Sequence, residues 1–475
     1  MYDATTENPL GSEKVSKLLR KFAVPSIIAM VVSGCYNIVD QLFIGNIIGE
    51  LGNAATNVAF PLTNMCLALG LMLGIGGAAG FNLRLGAGKK DEAPYFFRNS
   101  LTLLVIAGVV LLIVTEIWLD PILRLCGSPD SVMPYAREYL GITAIGFPFF
   151  IFSTGAGHLL RADGSPNLIM ITNVIGTLIN IGLDALFMIG FDWGIAGAAW
   201  ATIIGQAVAA LIQFICLLKP KTVEMMAKHY IPHPKYAAKC ATLGLAPFAN
   251  QISLMIVQIV LNNSLRYYGA QSMFGEEIPI AIAGIIMKVG TIFSGIVIGL
   301  SQGNQPILSF NYGAKKYRRV KEAFYVSLLV AFIISICSFA IYQLCPDFIL
   351  GLFGEGTEEY FIFGRMFFRK YLFFACLFFI QMLSANMFTA IGKPWKGMFL
   401  SLTRQIIYLL PLMLIFPRFW GIEGIIYAQP AADFLAISTA IIMDVIEYRK
   451  PEFRNEKGVL KEILFKKKTA ESCEK

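Results

Sequence analysis

LGAGKKDEA, residues 85–93, and YGAKKYRRV, residues 312–320, are two copies of one turn, and their separation decides the architecture of the chain. Each follows a Gly-rich apolar stretch, GLMLGIGGAAG (70–80) in the first case and GIVIGLSQGNQP (295–306) in the second. RADGSPN (161–167) returns as TAIGKPW (389–395), and GIAGAAWAT (194–202) as GIEGIIYAQ (421–429). Subtracting first positions gives offsets of 227, 228 and 227 residues. Three matches in the same order at one offset describe a chain built from two homologous halves.

The setting of that repeat is a membrane. Hydrophobic residues make up 56% of the chain and charged residues 15%, and the mean hydropathy is +0.65, well outside the range of soluble domains. The apolar runs have helix length and no strict alternation, so helices rather than strands cross the bilayer. A spanning helix needs about 20 apolar residues. Twelve stretches qualify, at 18–45, 54–84, 95–117, 135–160, 167–190, 194–218, 237–265, 279–310, 322–344, 361–390, 396–416 and 421–446. The polar opening, MYDATTENPLGSEKVSKLLR, has no cleavable signal-peptide pattern, so the first span is expected to act as the signal.

Loop charge alternates. GNIIGELGN, GEE (275–277) and DFILGLFGEGTEEY are neutral to acidic, whereas LGAGKK, KPKTVEMMAKHYIPHPK and YGAKKYRRVK are basic. The positive-inside rule puts the basic set in the cytoplasm, together with both termini, since the tail YRKPEFRNEKGVLKEILFKKK is basic as well. The expected organisation is a first lobe over 1–218, a cytoplasmic loop over 219–236, a second lobe over 237–446 and a basic tail over 447–475. Because both copies of the repeat share loop polarity, the lobes are related by an axis along the membrane normal. Transporters that rock two halves about a central cavity have this symmetry.

The net charge of +8 is thus a topology signal, and no folded basic domain points to nucleic acid. Nine cysteines are scattered without CxxC pairs, and Cys35, Cys66, Cys216, Cys337 and Cys376 fall within spans as small apolar residues. His158, His229 and His233 suggest no zinc site. A P-loop, a GxSxG elbow and a paired-acid protease motif are all missing, so an enzyme and direct drive by ATP are not expected.

The stretch NIGLDALFMIG (180–190) places Asp184 inside a span. A carboxylate there costs about 2.5–3.5 kcal/mol on insertion scales and usually faces the bundle interior or a watery cavity. Thr177, Asn180 and Asp184 share one helix face. Asp40 sits inside the first span with Tyr36 and Asn37 on the preceding turn, and Thr202 adds a hydroxyl from the sixth. Two carboxylates meeting in a low-dielectric pocket cannot both ionise cheaply, which suits a proton carrier. The same oxygens suit sodium. The alternative is that Asp184 only ties helices together.

The second lobe carries intramembrane Lys288, Arg404 and Asp433, and the expected arrangement is a structural pairing of Asp433 with one of the two cations. A drug-sized cavity would draw on the 18 Met and 37 Phe and on polar or aromatic residues of the charge-bearing helices. Tyr36, Gln206, Gln251 and Asn262 are the candidates, Tyr36 for cation–π contact beside Asp40. Pro25 should kink the first span, and the Gly-rich stretches should allow close helix packing.

On VDQLFIG (39–45), LGAGKKDEA, LRADGSPN, NIGLDALFMIGFDWGIAGAAWAT, NYGAKK and WGIEGIIYAQP, the chain resembles the multidrug and toxic compound extrusion (MATE) transporters, in particular their bacterial MepA-like branch, over residues 14–446. The resemblance implies a V-shaped fold of two six-helix lobes in the plasma (inner) membrane. It also implies antiport of cationic or amphipathic compounds against protons or sodium by alternating access, with no cofactor. Asp40, Asn180, Asp184 and Thr202 match the N-lobe cation site of members that have one. Some members carry coupling acids in the seventh and tenth spans, whereas here those spans offer Gln251, Gln258 and Gln381. A flippase for lipid-linked metabolites with the same two-lobe fold is the alternative, and it should show a strongly cationic cavity. With both lobes in one chain, a monomer is expected.

Overall fold

The computed structural model describes residues 8–223, 233–275, 277–351 and 357–454, without the side chains of Tyr36, Asn37, Ile38, Gln41, Leu42, Asn46, Glu50, Glu277, Lys288 and Arg454. His229, with the rest of 224–232 in the segment 219–236, and the tail beyond residue 454 lie outside the described residues.

Every regular element among the described residues is helical. The long helices of the first half are α1 (Val15–Ile47), α2 (Glu50–Gly86), α3 (Ala93–Ile117), α4 (Met133–Ile145), α5 (Phe147–Ala162), α6 (Pro166–Asp184) and α7 (Gly194–Leu217). Those of the second half are α8 (Pro234–Leu243), α9 (Leu245–Ala270), α10 (Glu277–Gly313), α11 (Tyr317–Leu344), α12 (Glu358–Met366), α13 (Phe378–Ala390), α14 (Pro394–Leu402), α15 (Leu410–Ile415) and α16 (Ile422–Tyr448). Ten stretches are long and apolar enough to cross a membrane, and α4 with α5, bent by 52°, makes an eleventh. The one expected span left, the tenth at 361–390, is broken between α12 and α13 by a π-helical turn, Phe367–Tyr371, and a non-helical stretch. The bend at Gly146 and this break occupy equivalent places in the two halves, so the tenth span exaggerates a deformation already present in the fourth.

The repeat extends to backbone conformation. Left-handed residues Gly88, Gly164 and Gly194 recur as Lys315, Gly392 and Gly421, at the sequence displacement of the motifs. In RADGSPN and TAIGKPW the glycine ends one helix and the proline two residues on opens the next as Pro166 or Pro394. A Cβ at Gly74 would fall 2.4 Å from Gly155 Cα, so α2 and α5 touch backbone to backbone, as the Gly-rich stretch suggested.

The halves meet along α1, α2, α9 and α10. Helices α1 and α10 run antiparallel and spread apart along their length. A Cβ at Gly303 would lie 2.5 Å from Ala23 Cα, one at Gly299 2.6 Å from Ile27 Cα, and one at Gly295 3.7 Å from Met30 Cβ. Further along, a Cβ at Gly290 or at Gly34 would meet no described atom of a neighbouring element within 4 Å. The pair is therefore closed towards the end that carries the basic loops and open towards the other, which gives the molecule its V. Near the apex Gln305 donates to the Ile75 carbonyl at 3.1 Å, and Asn311 to that of Leu10 at 2.9 Å.

Candidate functional site

The N-lobe cluster forms where α1, α6 and α7 converge. A Cβ at Gly205 would lie 2.7 Å from the Gly176 carbonyl oxygen and 3.0 Å from Asn180 Cβ. That close crossing of α6 on α7 sets Asn180 Nδ2 3.4 Å from Thr202 Oγ1, to which it donates. Asp184 follows one turn later, fully buried, and Asp40 on α1 is buried within electrostatic reach of it. Tyr139 on α4 lies within electrostatic reach of both carboxylates. Among the described residues, Asp184 Oδ1 and Oδ2, Asp40 Oδ1 and Asn180 Oδ1 are buried without a hydrogen-bond partner. Helix α6 passes into a π-helix, Ala185–Gly190, immediately after Asp184, the kind of local widening that often accompanies a site. Ile44, Met188 and Ala198 close the cluster beyond it as a small apolar plug. The Tyr36 side chain lies outside the described residues.

A cluster of unpaired carboxylate and amide oxygens has one ready use. Each buried acceptor lacking a donor costs about 1–3 kcal/mol, more when charged, and a proton or a hard cation removes that cost. Among the described residues no group of three or more His, Cys, Asp or Glu side chains converges as a metal centre.

The second lobe is arranged differently. Arg404, in the π-helix Thr403–Leu409, donates from Nε to Asp433 Oδ1 at 2.7 Å. Gln429, one turn before Asp433, donates to both carboxylate oxygens at 3.1 and 3.2 Å, and Phe378 stacks 4.1 Å beneath the guanidinium. The acid expected to pair with Lys288 or Arg404 thus meets Arg404. The Lys288 side chain lies outside the described residues.

This pair lines a cavity of about 340 Å³ at the junction of the halves, with Leu71 and Ile75 contributed by α2. Amides dominate its polar wall, from Gln251, Gln302, Gln381, Asn386 and Gln405, beside Phe293, Tyr342 and Phe378. Gln251 and Asn64 exchange hydrogen bonds at 3.3 and 3.1 Å across the two halves. Of the suggested cavity residues whose side chains are described, only Gln251 stands in this wall. Gln206 sits against Gly146 at the bend between α4 and α5, and Asn262 is exposed, accepting from Gln258 at 3.4 Å. Sharing a helix with a charge does not place a residue on the same face.

Three features went unread in the sequence. Tyr139 joins the cluster from α4, where the only nearby charges in the sequence, Arg137 and Glu138, are exposed and do not face it. Gln302, Gln405 and Gln429 are scattered singly, and only the four-residue spacing of Gln429 and Asp433 signals a pair. His158 is buried beside Arg161, whose Nε donates to Ser26 Oγ at 2.9 Å next to Pro25, fastening α5 to α1.

Outside the spans, the two halves tie the same turn to the same helix end with opposite charges. In the first, Asp163 accepts from the Lys221 and Thr222 backbone amides and from Thr222 Oγ1 at 2.6–3.0 Å. Burial raises its pKa above the ordinary carboxylate range, and those hydrogen bonds counteract the rise. In the second, Lys393 and Lys396 bind the fully buried Glu447, with Lys450 2.9 Å from the same carboxylate.

Comparison with known proteins follows the whole chain. The MatE family profile matches residues 25–186 and 249–414. The multidrug export protein MepA of Staphylococcus saprophyticus is 25% identical over 434 residues, covering 90% of this chain and 93% of that protein. MepA of Staphylococcus aureus is 25% identical over 433 residues, with the same coverage. Among solved structures, a MOP superfamily transporter from Pyrococcus furiosus superposes with a TM-score of 0.86 at 22% identity, covering 94% of this chain and 98% of that one. An outward-facing multidrug resistance MATE family transporter gives 0.86 at 23% identity with the same coverage. With a profile matching both halves of the repeat and this fold, the chain belongs to the MatE family of membrane transporters.

Proposed function

We propose that the protein exports chemically varied cationic or amphipathic compounds in exchange for protons or sodium by alternating access, with coupling in the first lobe. The observation that carries this reading is the cluster of Asp40, Asn180, Asp184 and Thr202, in which carboxylate and amide oxygens of Asp40, Asn180 and Asp184 are buried without a hydrogen-bond partner among the described residues. A proton or sodium ion completes the cluster, and its loss leaves two repelling carboxylates that favour rearrangement of α1 against α6. The staphylococcal relatives are named multidrug export proteins, which supports the substrate class.

The cavity at the lobe junction is the proposed substrate site. Amide side chains that switch between donor and acceptor, set among aromatic rings, suit unlike compounds. Its guanidinium is neutralised by Asp433, so among the described residues the cavity wall carries no net positive charge of the kind a flippase for pyrophosphate-linked lipids needs. The proposed lobes are 1–218 and 237–446 in a monomer, with the basic loops and both termini cytoplasmic, and the V then opens outward.

The test is efflux of a fluorescent lipophilic cation from cells or inverted vesicles, with proton and sodium gradients imposed separately. The parent should respond to one gradient, which names the ion, and Asp184→Asn at matched abundance should bind dye yet respond to neither. If Asp184→Asn pumps as well as the parent, Asp184 is structural and the coupling assignment falls.

A further inference from the structure

Away from the junction, a second cavity of about 380 Å³ lies between α11, α13 and α16. Its walls are aromatic and aliphatic, and Leu329, Phe332, Ile441 and Val445 at its mouth are exposed as lipid-facing residues are. At its base sits Asp444, 8% exposed. Ser384 Oγ donates to Asp444 Oδ2 at 2.5 Å. Oδ1 is buried without a hydrogen-bond partner among the described residues. Tyr325 and Tyr448, both in the cavity wall, lie within electrostatic reach of this carboxylate.

An acid at the bottom of a greasy, ring-lined crevice is expensive unless something compensates it. The nearby lysines are committed elsewhere. Lys393, Lys396 and Lys450 bind Glu447. Lys321 donates to the Phe453 carbonyl at 2.8 Å and lies over the rings of Tyr448 and Phe453 at 5.6 and 5.7 Å. The rings and the half-used carboxylate are the recognition elements for an organic cation whose charge is wrapped in apolar groups. The volume suits a compact drug-sized ligand.

We infer that the Asp444 crevice is a membrane-facing binding site for lipophilic organic cations, entered from the bilayer and separate from the cavity at the lobe junction. Asp444 stands one turn from the end of α16, at the level of the Glu447–lysine knot, so the site opens to the leaflet on the basic-loop side. The inference concerns binding alone and does not depend on which ion drives transport.

The test uses the purified full chain in maltoside micelles with a photoactivatable tetraphenylphosphonium derivative, mapping the labelled peptides by mass spectrometry. Labelling is expected within 324–332 and 441–448. Excess tetraphenylphosphonium should suppress it, and an uncharged tetraphenyl analogue should not. Asp444→Asn, and Leu329→Trp to fill the mouth, should each weaken labelling of these peptides about tenfold, whereas Asp184→Asn should leave it unchanged. Labelling of the parent only elsewhere overturns the site, whatever the variants do. Equal suppression by the uncharged analogue, or undiminished labelling of a folded Asp444→Asn protein, overturns the role of the charge. Suppression by added phosphatidylcholine as strong as by tetraphenylphosphonium would make this a lipid headgroup site and reject the proposal.

Discussion

Asp184 and Asp433 are both carboxylates within spans, yet neither oxygen of Asp184 has a hydrogen-bond partner among the described residues, whereas Asp433 has a guanidinium and an amide. Removing one member of the C-lobe pair strands the other, so Asp433→Asn should destabilise the purified protein by about 3 kcal/mol, seen as a lower thermal midpoint. The double replacement Arg404→Met with Asp433→Leu should restore much of that loss, and no restoration would contradict a purely pairwise role. Lys315 is a backbone case. It is exposed, with φ 56°, where the equivalent residue of the other half is Gly88. Lys315→Gly should raise stability by about 1 kcal/mol in thermal unfolding. At this scale the sequence was informative where charge met helical period, as in Asn180 and Asp184, which stand one turn apart on α6. It was silent where a site draws on another helix, as with Tyr139, because spacing along one chain says nothing of who faces whom.

The helices depart from regularity in a patterned way. π-Helical turns follow Asp184, precede the gap in the tenth span and carry Arg404. A strict α-helical period cannot express such a turn, so the expected continuous helices over 167–190, 361–390 and 396–416 come out widened or broken. Turns, by contrast, were readable, because glycine and proline state their backbone requirements outright. In α1, Pro25 stands beside Ser26, which Arg161 holds. Pro25→Ala should lower the rate of dye efflux more than it lowers protein abundance, and an equal loss of both would mark the proline as structural. Gly303→Val should cost about 1–3 kcal/mol through overpacking against Ala23, while Gly290→Ala should leave the thermal midpoint unchanged.

For the whole molecule, the repeat made two lobes legible, and the loop charges suggested which ends lie in the cytoplasm. The angle between the lobes was not legible, because it depends on how closely α1 and α10 approach at successive glycines. In a cysteine-free background, Gly290→Cys should react quickly with an impermeant maleimide added outside, and Gly303→Cys should stay protected. Reversed reactivities would place the opening of the V on the other side.

Duplication also gave the two lobes matched positions that they use unequally. Asp433 and Arg404 stand 227 residues after Gln206 and Thr177, while Asp40 and Asp184 have as counterparts Tyr267 and Pro411. The C-lobe pair is internally neutral, so a membrane potential acts on it weakly. If the N-lobe acids are the coupling site proposed above, their charge changes with occupancy. On the proposed reading, voltage therefore enters the cycle through one lobe. Exchange of a monovalent cation for one coupling ion moves no net charge, and exchange for two couples export to the potential by about 2.3 kcal/mol per 100 mV.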